Sequence, residues 1–351
     1  MGESLNGSRT GLLERLAEGP VICAEGYLFE CERRGYLQAG AFVPEVVLDH
    51  PEIVEQLHRE FVHAGSDVVE AFTYYGHREK LRMVGKEDLL EPLNREALKI
   101  ARKVAEDTGT LLAGDLSNTN VYVGDEASGK TARDMFTEQV GWAVDEGVDF
   151  IIAETFSHWG EAQIALEVIK EAGVPAVVTM AIHQPGVTPD GLTPEETCKR
   201  LEDAGADVVG LNCARGPQTM LPLLRRIRES TRGYLAALPV PYRTHDDQPT
   251  FQSLRDPEYD AFPNDRPFPT ALDPFTCNRY EIADFTRDAY DIGVRYFGVC
   301  CGAAPIHIRS MAEALGRTPP ASRYTADMSK HAFMGTDPRV RKEYQEYAKN
   351  L

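Results

Sequence analysis

Three of the seven cysteines in this chain stand where they could bind one metal ion together. Cys213 directly follows the apolar run of residues 207–212, and Cys300 and Cys301 end a second run that begins at residue 295. Thiolates are strong ligands for Zn²⁺, and a zinc site with three protein ligands and one open position is of the catalytic type. The sequence therefore predicts a zinc site built from Cys213, Cys300 and Cys301.

An alternative is that these three cysteines are small hydrophobic core residues, because free cysteine is among the most buried residue types. Adjacent cysteines followed by glycine are an unusual choice for a core, which favours the metal site. An odd number of cysteines without a secretory signal also argues against a disulfide framework. The remaining cysteines show no such convergence and are predicted to be structural: Cys23, Cys31, Cys198 and Cys277.

Zinc held by three thiolates supports a particular kind of reaction. Such a site is a weak Lewis acid for water, but it can still deprotonate a fourth thiol at neutral pH. The resulting thiolate stays electron-rich and can attack a methyl group on nitrogen or sulfur, whereas hydrolysis more naturally uses histidine and carboxylate ligands. Methyl transfer between heteroatoms needs no proton shuttle at carbon, so beyond the substrate thiolate no catalytic residue is assigned, including among His158, His245 and His307.

Eight short apolar runs alternate with amphipathic segments and are predicted to be strands. Runs of this length suit strands buried on both faces, as in a parallel sheet covered by helices. Eight repeats predict a (β/α)8 TIM barrel, whose catalytic groups lie at the C-terminal ends of the strands. A two-domain doubly wound fold is the alternative. The runs are residues 20–24, 67–72, 110–114, 149–154, 175–180, 207–212, 234–238 and 295–300.

Signals for helix starts and stops lie between these runs. Ile53, Leu57 and Phe61 are spaced as on one helix face behind Pro51, a residue suited to a first helical turn. Residues 193–196 have the form of a capping box with proline in the first turn. Three glycines stand where a helix must stop before the next strand, namely Gly173, Gly205 and Gly293.

Two regions depart from the repeat. Residues 239–274 form a long segment rich in proline and aspartate, and loops of that length are usually functional or take part in oligomer contacts. Residues 317–351 are polar and are expected to pack on the barrel or on a partner subunit. We therefore predict a catalytic barrel domain, residues 1–316, with a long loop after strand seven, a C-terminal tail, residues 317–351, and a homo-oligomer.

The composition excludes several classes of partner. A formal net charge of −18 argues against nucleic acid and anionic membranes, because binding phosphate needs a basic surface. No apolar run approaches the roughly 20 residues needed to span a bilayer. The first eight residues lack the basic region and apolar core of a signal peptide, so a cytoplasmic location is expected.

The runs around the three cysteines resemble the signatures of the homocysteine S-methyltransferase family. One is Gly-Leu-Asn-Cys at residues 210–213, and the other is Gly-Val-Cys-Cys-Gly at residues 298–302. The pair is highly specific, and the resemblance extends from near residue 20 to about residue 315. It is strongest to the branch that uses betaine as methyl donor. The resemblance implies a (β/α)8 barrel, Zn²⁺ on the three cysteines, and homocysteine as methyl acceptor.

The resemblance also implies residues that bind homocysteine. The family's first strand usually ends in an aspartate, and here the acid is Glu25, displaced by one position and followed by Gly26. The family's glutamate on strand four is kept as Glu154, and Asn212 of the cysteine signature belongs to the same set. The tyrosine that follows this glutamate in the betaine enzymes is Thr155 here, too short to cap zinc in the same way.

A methyl donor with a quaternary ammonium or sulfonium group is bound by aromatic faces. The candidates are Phe42, where the betaine enzymes have tryptophan, and Phe72, Tyr74 and Tyr75 around the end of strand two. Glu70, which replaces a glutamine of the family, could add negative charge near the onium group. Asp115, Ser117 and Asn118 follow the third run and could line the same edge of the barrel.

The sequence thus predicts zinc-dependent transfer of a methyl group from betaine, or a related small onium donor, to homocysteine, giving methionine. S-methylmethionine or dimethylsulfoniopropionate (thetin) is the alternative donor. A non-catalytic zinc- or thiol-binding barrel is the alternative from another functional class. Cobalamin and folate routes would need additional modules for which the chain has no room.

Overall fold

Eight parallel strands close a barrel in the order of the sequence. The computed structural model describes residues 10–258 and 265–351. Strand β1 pairs with β2 on one side and with β8 on the other, which closes the sheet and confirms the predicted (β/α)8 fold. The strands are β1 Val21–Ala24, β2 Val68–Glu70, β3 Leu111–Ser117, β4 Phe150–Phe156, β5 Ala176–Met180, β6 Val208–Asn212, β7 Tyr234–Leu238 and β8 Val294–Val299.

Every predicted apolar run contains a strand, and the differences lie at the ends. Strand β2 stops at Glu70 rather than at Phe72, because Thr73 N–H turns back to the carbonyl of Ala71. Strand β3 runs to Ser117, so Asp115 and Ser117 lie inside the strand and not after it as predicted. The polar side chains that end these strands therefore project into the barrel mouth from regular backbone.

Helices cover the barrel between successive strands. Their packing produces two apolar layers, one inside the barrel and one between the strands and the helices. In the described part of the chain the helices are α1 Leu12–Glu18, α2 Tyr27–Arg33, α3 Val46–Asp49, α4 Pro51–Ala64, α5 Arg78–Val84, α6 Leu90–Thr108, α7 Glu126–Asp145, α8 Trp159–Glu171, α9 Pro194–Asp203, α10 Pro217–Ser230, α11 Arg279–Ile292, α12 Pro305–Ala314 and α13 Lys342–Ala348.

The helix ends that have local signals in the sequence lie where they were predicted. Thr193 and Glu196 form the expected capping box at the start of α9. The three predicted stop glycines have φ angles of 77, 97 and 110°, which L-residues with side chains rarely adopt. The buried face of α4 is shifted by one position, because Val54 is fully buried while Ile53 is only half-buried.

The long segment after β7 folds back over the barrel mouth. Phe251 N–H donates to the carbonyl of Ala214, 2.8 Å away, and Val240 N–H donates to that of Arg215, 3.0 Å away. Tyr242 is fully buried and its hydroxyl accepts a hydrogen bond from Arg33, 2.8 Å away. The segment therefore packs on the loop that carries Cys213. Residues 259–264 of this predicted loop lie outside the described residues, as do residues 1–9.

The tail after α12 contacts the base of the barrel. Arg317 forms an ion pair with Asp67, 2.5 Å apart, and Ser322 donates to Glu313 across 2.8 Å. Further along the tail, Phe333 packs against the rings of Tyr344 and Tyr347, which both belong to α13. Among the described residues, no helix has both the length and the hydropathy required to cross a bilayer.

Candidate active site

The three predicted zinc ligands meet at the C-terminal end of the barrel. Cys213 follows β6 and Cys300 follows β8. Two backbone hydrogen bonds fix their positions, from Cys213 N–H to the carbonyl of Leu238 and from Cys300 N–H to that of Pro239, both 2.9 Å long. The Sγ atoms of Cys213 and Cys301 are 3.7 Å apart, and those of Cys300 and Cys301 are 4.0 Å apart.

This arrangement of sulfur atoms fits a tetrahedral zinc ion. With Zn–S bonds of ~2.3 Å, two ligands of a regular tetrahedron lie about 3.8 Å apart. All three Sγ atoms lie within 4.8 Å of one another, and none takes part in a disulfide. Cys213 and Cys300 are buried, whereas Cys301 is partly exposed, which leaves an open side. The residues present can therefore hold the metal that the sequence predicts.

Glycines of the two signatures allow the cysteines to come together. A Cβ atom on Gly210 would overlap the backbone of Ala236 on the neighbouring strand, and one on Gly298 would overlap the carbonyl of Cys23. Gly302 has a φ of 92°, and a Cβ there would overlap the hydroxyl of Tyr242. Cys213 itself has a φ of 53°, a conformation that is uncommon for residues with a side chain. The sulfur cluster thus depends on close backbone contacts on both sides.

The three thiols influence one another's ionisation. Hydrogen bonds with Cys300 and Cys301 lower the pKa of Cys213 well below that of an ordinary thiol. Burial raises the pKa of Cys300, and the hydrogen bond with Cys213 raises that of Cys301. Cys213 is therefore the thiol of the three that ionises most readily, and additional negative charge in this buried cluster is unfavourable.

Asn212 links the cysteine cluster to two of the predicted homocysteine-binding residues. Its Nδ2 atom lies 2.5 Å from Glu154, 3.3 Å from Glu25 and 3.8 Å from the Sγ of Cys300. One oxygen each of Glu25 and Glu154 also lies within 4.8 Å of the Cys300 sulfur. The two carboxylates and the amide therefore form a polar group directly beside the sulfurs.

Gly26 and Thr155 have structural contacts beside the site. Gly26 starts α2, and a Cβ on it would overlap Ala303 in the turn after the cysteine pair. Thr155 has a φ of 61°, and its N–H donates to Asn212 Oδ1, 2.9 Å away. Its hydroxyl lies 3.1 Å from Glu154 and 2.8 Å from the Asn212 amide. Thr155 thus orients the amide and the carboxylate between which it lies.

Two more buried acids extend this polar group across the barrel mouth. Glu70 at the end of β2 and Asp115 on β3 each place a carboxylate oxygen within 4.8 Å of Glu154. Among the described residues, Glu25 Oε1 and Asp115 Oδ1 have no hydrogen-bond partner. Asp115 could be singled out from the sequence only as a polar residue at the edge of an apolar run, a weak signal.

Burial raises the pKa of all four carboxyl groups, and their mutual repulsion adds to the effect for three of them. The pKa of Glu154 rises to about 8, chiefly because burial disfavours its charge. The pKa values of Glu25, Glu70 and Asp115 are raised by burial first and then by the charge of Glu154. A cation bound here would remove both penalties, so the cluster is suited to a positively charged group.

A narrow cavity lies between the acids and the sulfurs. It is lined by four carboxylates, two cysteines and several apolar or aromatic side chains, and none of the described lysines and arginines belongs to the lining. The lining residues are Glu25, Tyr27, Leu28, Glu70, Ala71, Phe72, Tyr74, Asp115, Glu154, Cys300 and Cys301.

The predicted donor-binding aromatic residues do not all line this cavity. Phe72 and Tyr74 belong to its lining, and Phe72 packs on Tyr27 with ring centroids 5.5 Å apart. Tyr75 lies beside Tyr74, centroids 4.4 Å apart, just outside it. Phe42 stacks on Phe29 at 5.8 Å and is also outside the lining. The structure thus groups Glu70, Phe72 and Tyr74 with the acids and sulfurs, and leaves Phe42 and Tyr75 further out.

The histidines considered in the sequence lie outside the cavity lining. His307 opens α12, where its Nδ1 accepts a hydrogen bond from the N–H of Ala304, 3.0 Å away. His158 lies 3.4 Å from Asp190, and His245 pairs with Gln248 in the long loop. Cys23, Cys31, Cys198 and Cys277 are buried apart from the three-sulfur cluster.

The sequence is similar to proteins of one enzyme family along almost its whole length. The profile of the homocysteine S-methyltransferase family matches residues 26–315. Betaine–homocysteine S-methyltransferase 1 of Xenopus tropicalis is 38% identical over 359 residues, covering 97% of this chain and 86% of that protein. S-methylmethionine–homocysteine S-methyltransferase of Pongo abelii is 37% identical, covering 98% of this chain and 93% of that protein.

The fold is similar to that of a solved bacterial structure. The metallated form of the homocysteine methyltransferase MmuM from Escherichia coli superposes with a TM-score of 0.66, covering 85% of this chain and 98% of that one. The two sequences are 18% identical over this alignment, so the likeness concerns the barrel alone.

Proposed function

The chain belongs to the homocysteine S-methyltransferase family, and from this premise we propose that it transfers a methyl group from betaine, or a related small onium donor, to homocysteine. One observation carries the proposal beyond family membership. Three sulfur atoms with the spacing of tetrahedral zinc ligands lie next to a buried group of carboxylates, and two of them line a cavity to which the described residues contribute no basic side chain. Such a site suits a thiol substrate that also carries an ammonium group.

Cys213, Cys300 and Cys301 would hold Zn²⁺. When bound, the metal would supply the positive charge that lowers the pKa of the homocysteine thiol and makes its thiolate available at neutral pH. The protein itself contributes the alignment, because Asn212 connects the sulfur cluster to the acids within one hydrogen-bonded group. Holding sulfur, methyl carbon and leaving nitrogen in line removes much of the entropic barrier to the reaction.

Glu25 and Glu154 are proposed to bind the ammonium group of homocysteine. They are the acids closest to the Cys300 sulfur, and both are oriented by the Asn212 amide. Glu25 Oε1 has no partner among the described residues and is free to accept a hydrogen bond from the ammonium group. Binding this cation would offset the repulsion between the two buried carboxylates.

The reaction balances without a proton shuttle. The homocysteine thiol releases its proton to water on binding, its sulfur forms a bond to a methyl carbon of betaine, and the carbon–nitrogen bond breaks. The electron pair stays on nitrogen, which gives dimethylglycine and methionine. A thiolate and an onium cation neutralise each other in this step, so the apolar walls at Leu28, Ala71 and Phe72 favour it relative to water.

S-methylmethionine is the second candidate donor. The relative from Pongo abelii that carries this donor in its name is as similar to the chain as the mammalian betaine enzymes are. Of the residues that the structure describes, four acids and no basic residue line the cavity, which favours a donor with an ammonium group in addition to its onium group. Betaine has no such second cation.

Incubation of the zinc-loaded protein with homocysteine and single donors tests the proposal. Betaine, S-methylmethionine and dimethylsulfoniopropionate would be offered separately, and methionine measured over time. We expect methionine from betaine or from S-methylmethionine. Formation from none of them, by a protein that binds zinc, would leave the non-catalytic zinc-binding barrel as the function.

Three further expectations from the sequence stay predictions. Residues 317–351 are proposed to be a tail that packs on the barrel, with contacts such as Arg317 to Asp67 as support. A homo-oligomer is proposed from the long loop and the tail, and a cytoplasmic location stays a prediction. Sedimentation of the purified protein would test the second of these.

A further inference from the structure

One lysine at the barrel mouth lacks the ion pair that its neighbours have. Helix α5 and the turn after it carry four cations, and three of them pair with carboxylates: Arg78 with Glu138, Arg82 with Glu79, and Lys86 with Glu45. Within the part of the chain that the structure describes, no carboxylate lies within ion-pair distance of the fourth, Lys80. It is also the least exposed of the four, being half-buried where the others are exposed.

The side chain of Lys80 is directed to the barrel mouth. Its Nζ lies 4.0 Å from the centre of the Tyr75 ring and 3.4 Å from the carbonyl of Ala41, the residue before Phe42. Its backbone N–H donates to the buried His77, which fixes the first turn of α5. Lys80 therefore stands between Phe42 and Tyr75, the two predicted donor-binding residues that lie outside the acid-lined cavity.

Tyr75 connects this lysine with the reaction centre. Burial raises the pKa of Tyr75 to about 12, and the negative charges of Cys301, Cys213 and Glu154 add to the rise. The Tyr75 ring also lies against that of Tyr74, with centroids 4.4 Å apart, and Tyr74 lines the cavity that holds the acids and sulfurs. Tyr75 therefore contacts the lysine on one ring face and connects it with the cavity through Tyr74.

The ammonium group of Lys80 is partly buried and has no negatively charged partner among the described residues. Burial alone lowers its pKa, with no carboxylate to counter the effect, and one carbonyl and one aromatic ring are weak compensation for a partly dehydrated ammonium group. An anion arriving at this point would gain a charge-assisted hydrogen bond. The acids that line the cavity would in turn attract the cationic end of the same molecule.

We propose that Lys80 binds the carboxylate of the methyl donor and so orients its onium group toward the three sulfurs. This inference rests on the proposed function and adds to it. It states that the protein selects donors that carry a carboxylate, and that the selectivity resides in a single side chain on α5. Lys80 would act on binding and orientation of the donor, with no part in binding homocysteine or the metal.

The test compares steady-state kinetics of the full-length wild-type protein and three variants. Lys80→Met removes the charge but keeps the apolar stem that packs on Tyr75, and Lys80→Arg keeps the charge. Lys86→Met is the matched control, since this lysine is exposed and already paired. In one series betaine is varied at saturating homocysteine, and in the other homocysteine is varied at saturating betaine. S-methylmethionine replaces betaine if the wild type accepts only that donor.

We expect Lys80→Met to raise the donor KM about 10- to 100-fold, the usual loss for one charged hydrogen bond. The KM of homocysteine and the zinc content should not change, and Lys80→Arg should recover most of the loss. Trimethylsulfonium, an onium ion without a carboxylate, should inhibit the wild type and Lys80→Met with equal constants. Lys86→Met should behave as wild type.

Two results would overturn this assignment. One is an unchanged donor KM in Lys80→Met. The other is an equal weakening of the donor and of trimethylsulfonium, which would mean that the lysine only supports the Tyr75 ring. Absence of methionine formation by the wild type with every carboxylated donor would instead contradict the proposed function itself, so the two failures can be told apart.

Discussion

The two sides of the barrel mouth are built by different means. The sulfur side comes from two short segments after β6 and β8, in which glycines and left-handed backbone bring three thiols together. The acid side comes from four strands, β1 to β4, each of which contributes one carboxyl group at or near its end. The sulfur side has a local sequence pattern in each of its two segments, whereas the acid side arises from the pairing of four successive strands.

This difference predicts separate roles for the two sides, metal binding for the sulfurs and substrate binding for the acids. The sulfur side has the geometry of a metal site and few alternatives, because its ligands are fixed by backbone contacts. The acid side is a group of like charges that repel one another until a cation arrives, so it is suited to recognising substrates. Substitutions on the two sides should therefore have separable consequences.

The largest effect is expected on the sulfur side. Cys300→Ala should lose zinc and lower turnover by at least about 1,000-fold, since several kcal/mol of stabilisation by the metal disappear. Zinc content by atomic absorption and methionine formation are the two readouts, with circular dichroism to show that the barrel stays folded. Cys198→Ala, at a buried cysteine of α9, is the control and should keep both. Turnover retained by Cys300→Ala would refute the ligand assignment.

The acid side should respond in substrate affinity rather than in metal content. Glu154→Gln keeps the shape but removes a charge that is proposed to bind the homocysteine ammonium group. We expect the KM of homocysteine to rise about 10- to 100-fold with zinc still bound, the usual loss for one charged contact. The matched control is Glu161→Gln, a buried glutamate of α8 that accepts from Thr119 instead. Loss of zinc in Glu154→Gln would show that the two sides are not independent.

The smallest effect is expected in stability as a function of pH. The pKa of Glu154 is raised to about 8 in the folded protein from an ordinary value of 4.5, so the folded state binds a proton that the unfolded chain releases. Its contribution to stability is therefore full below about pH 4.5 and is lost as pH rises toward 8. The Tm of the metal-free, substrate-free protein should therefore fall by roughly a few degrees when the pH is raised from about 5.5 to about 8.

Calorimetry of the chelated protein would check this. Glu154→Gln should have a shallower dependence of Tm on pH, whereas Glu138→Gln, at an exposed residue paired with Arg78, should follow the wild type. Zinc and homocysteine together should flatten the curve as well, because the bound ammonium group compensates the charges. A Tm that rises with pH in the metal-free protein would contradict the proposed burial of these acids.

Much of the fold could be predicted because its signals are local. Each predicted apolar run contains one strand of the barrel, since strands buried on both faces need nearly continuous apolar residues. The errors are at the edges. Val54 replaces Ile53 on the buried face of α4, and Ser117 extends β3, because neighbouring elements decide how far a helix face or a strand is covered.

The candidate site divides in the same way. Cys213, Cys300 and Cys301 could be grouped from the sequence, because their two segments carry a distinctive local pattern. The proximity of Asp115 to Glu154 and the separation of Phe42 from the cavity had no local signal. Lys80 was not singled out at all, since only its lack of a carboxylate partner distinguishes it from nearby cations.

The sequence by itself determined the class of fold, the family and the three sulfurs, because periodicity, helix caps and short glycine–cysteine patterns act within a few residues of themselves. Only the tertiary structure decided which charges share the cavity and which side chains are left without a partner. Pairing of successive strands in the barrel sets those distances, and it does so between residues at least 39 positions apart, such as Glu70, Asp115 and Glu154. Electrostatic energies in a buried site depend on just such distances.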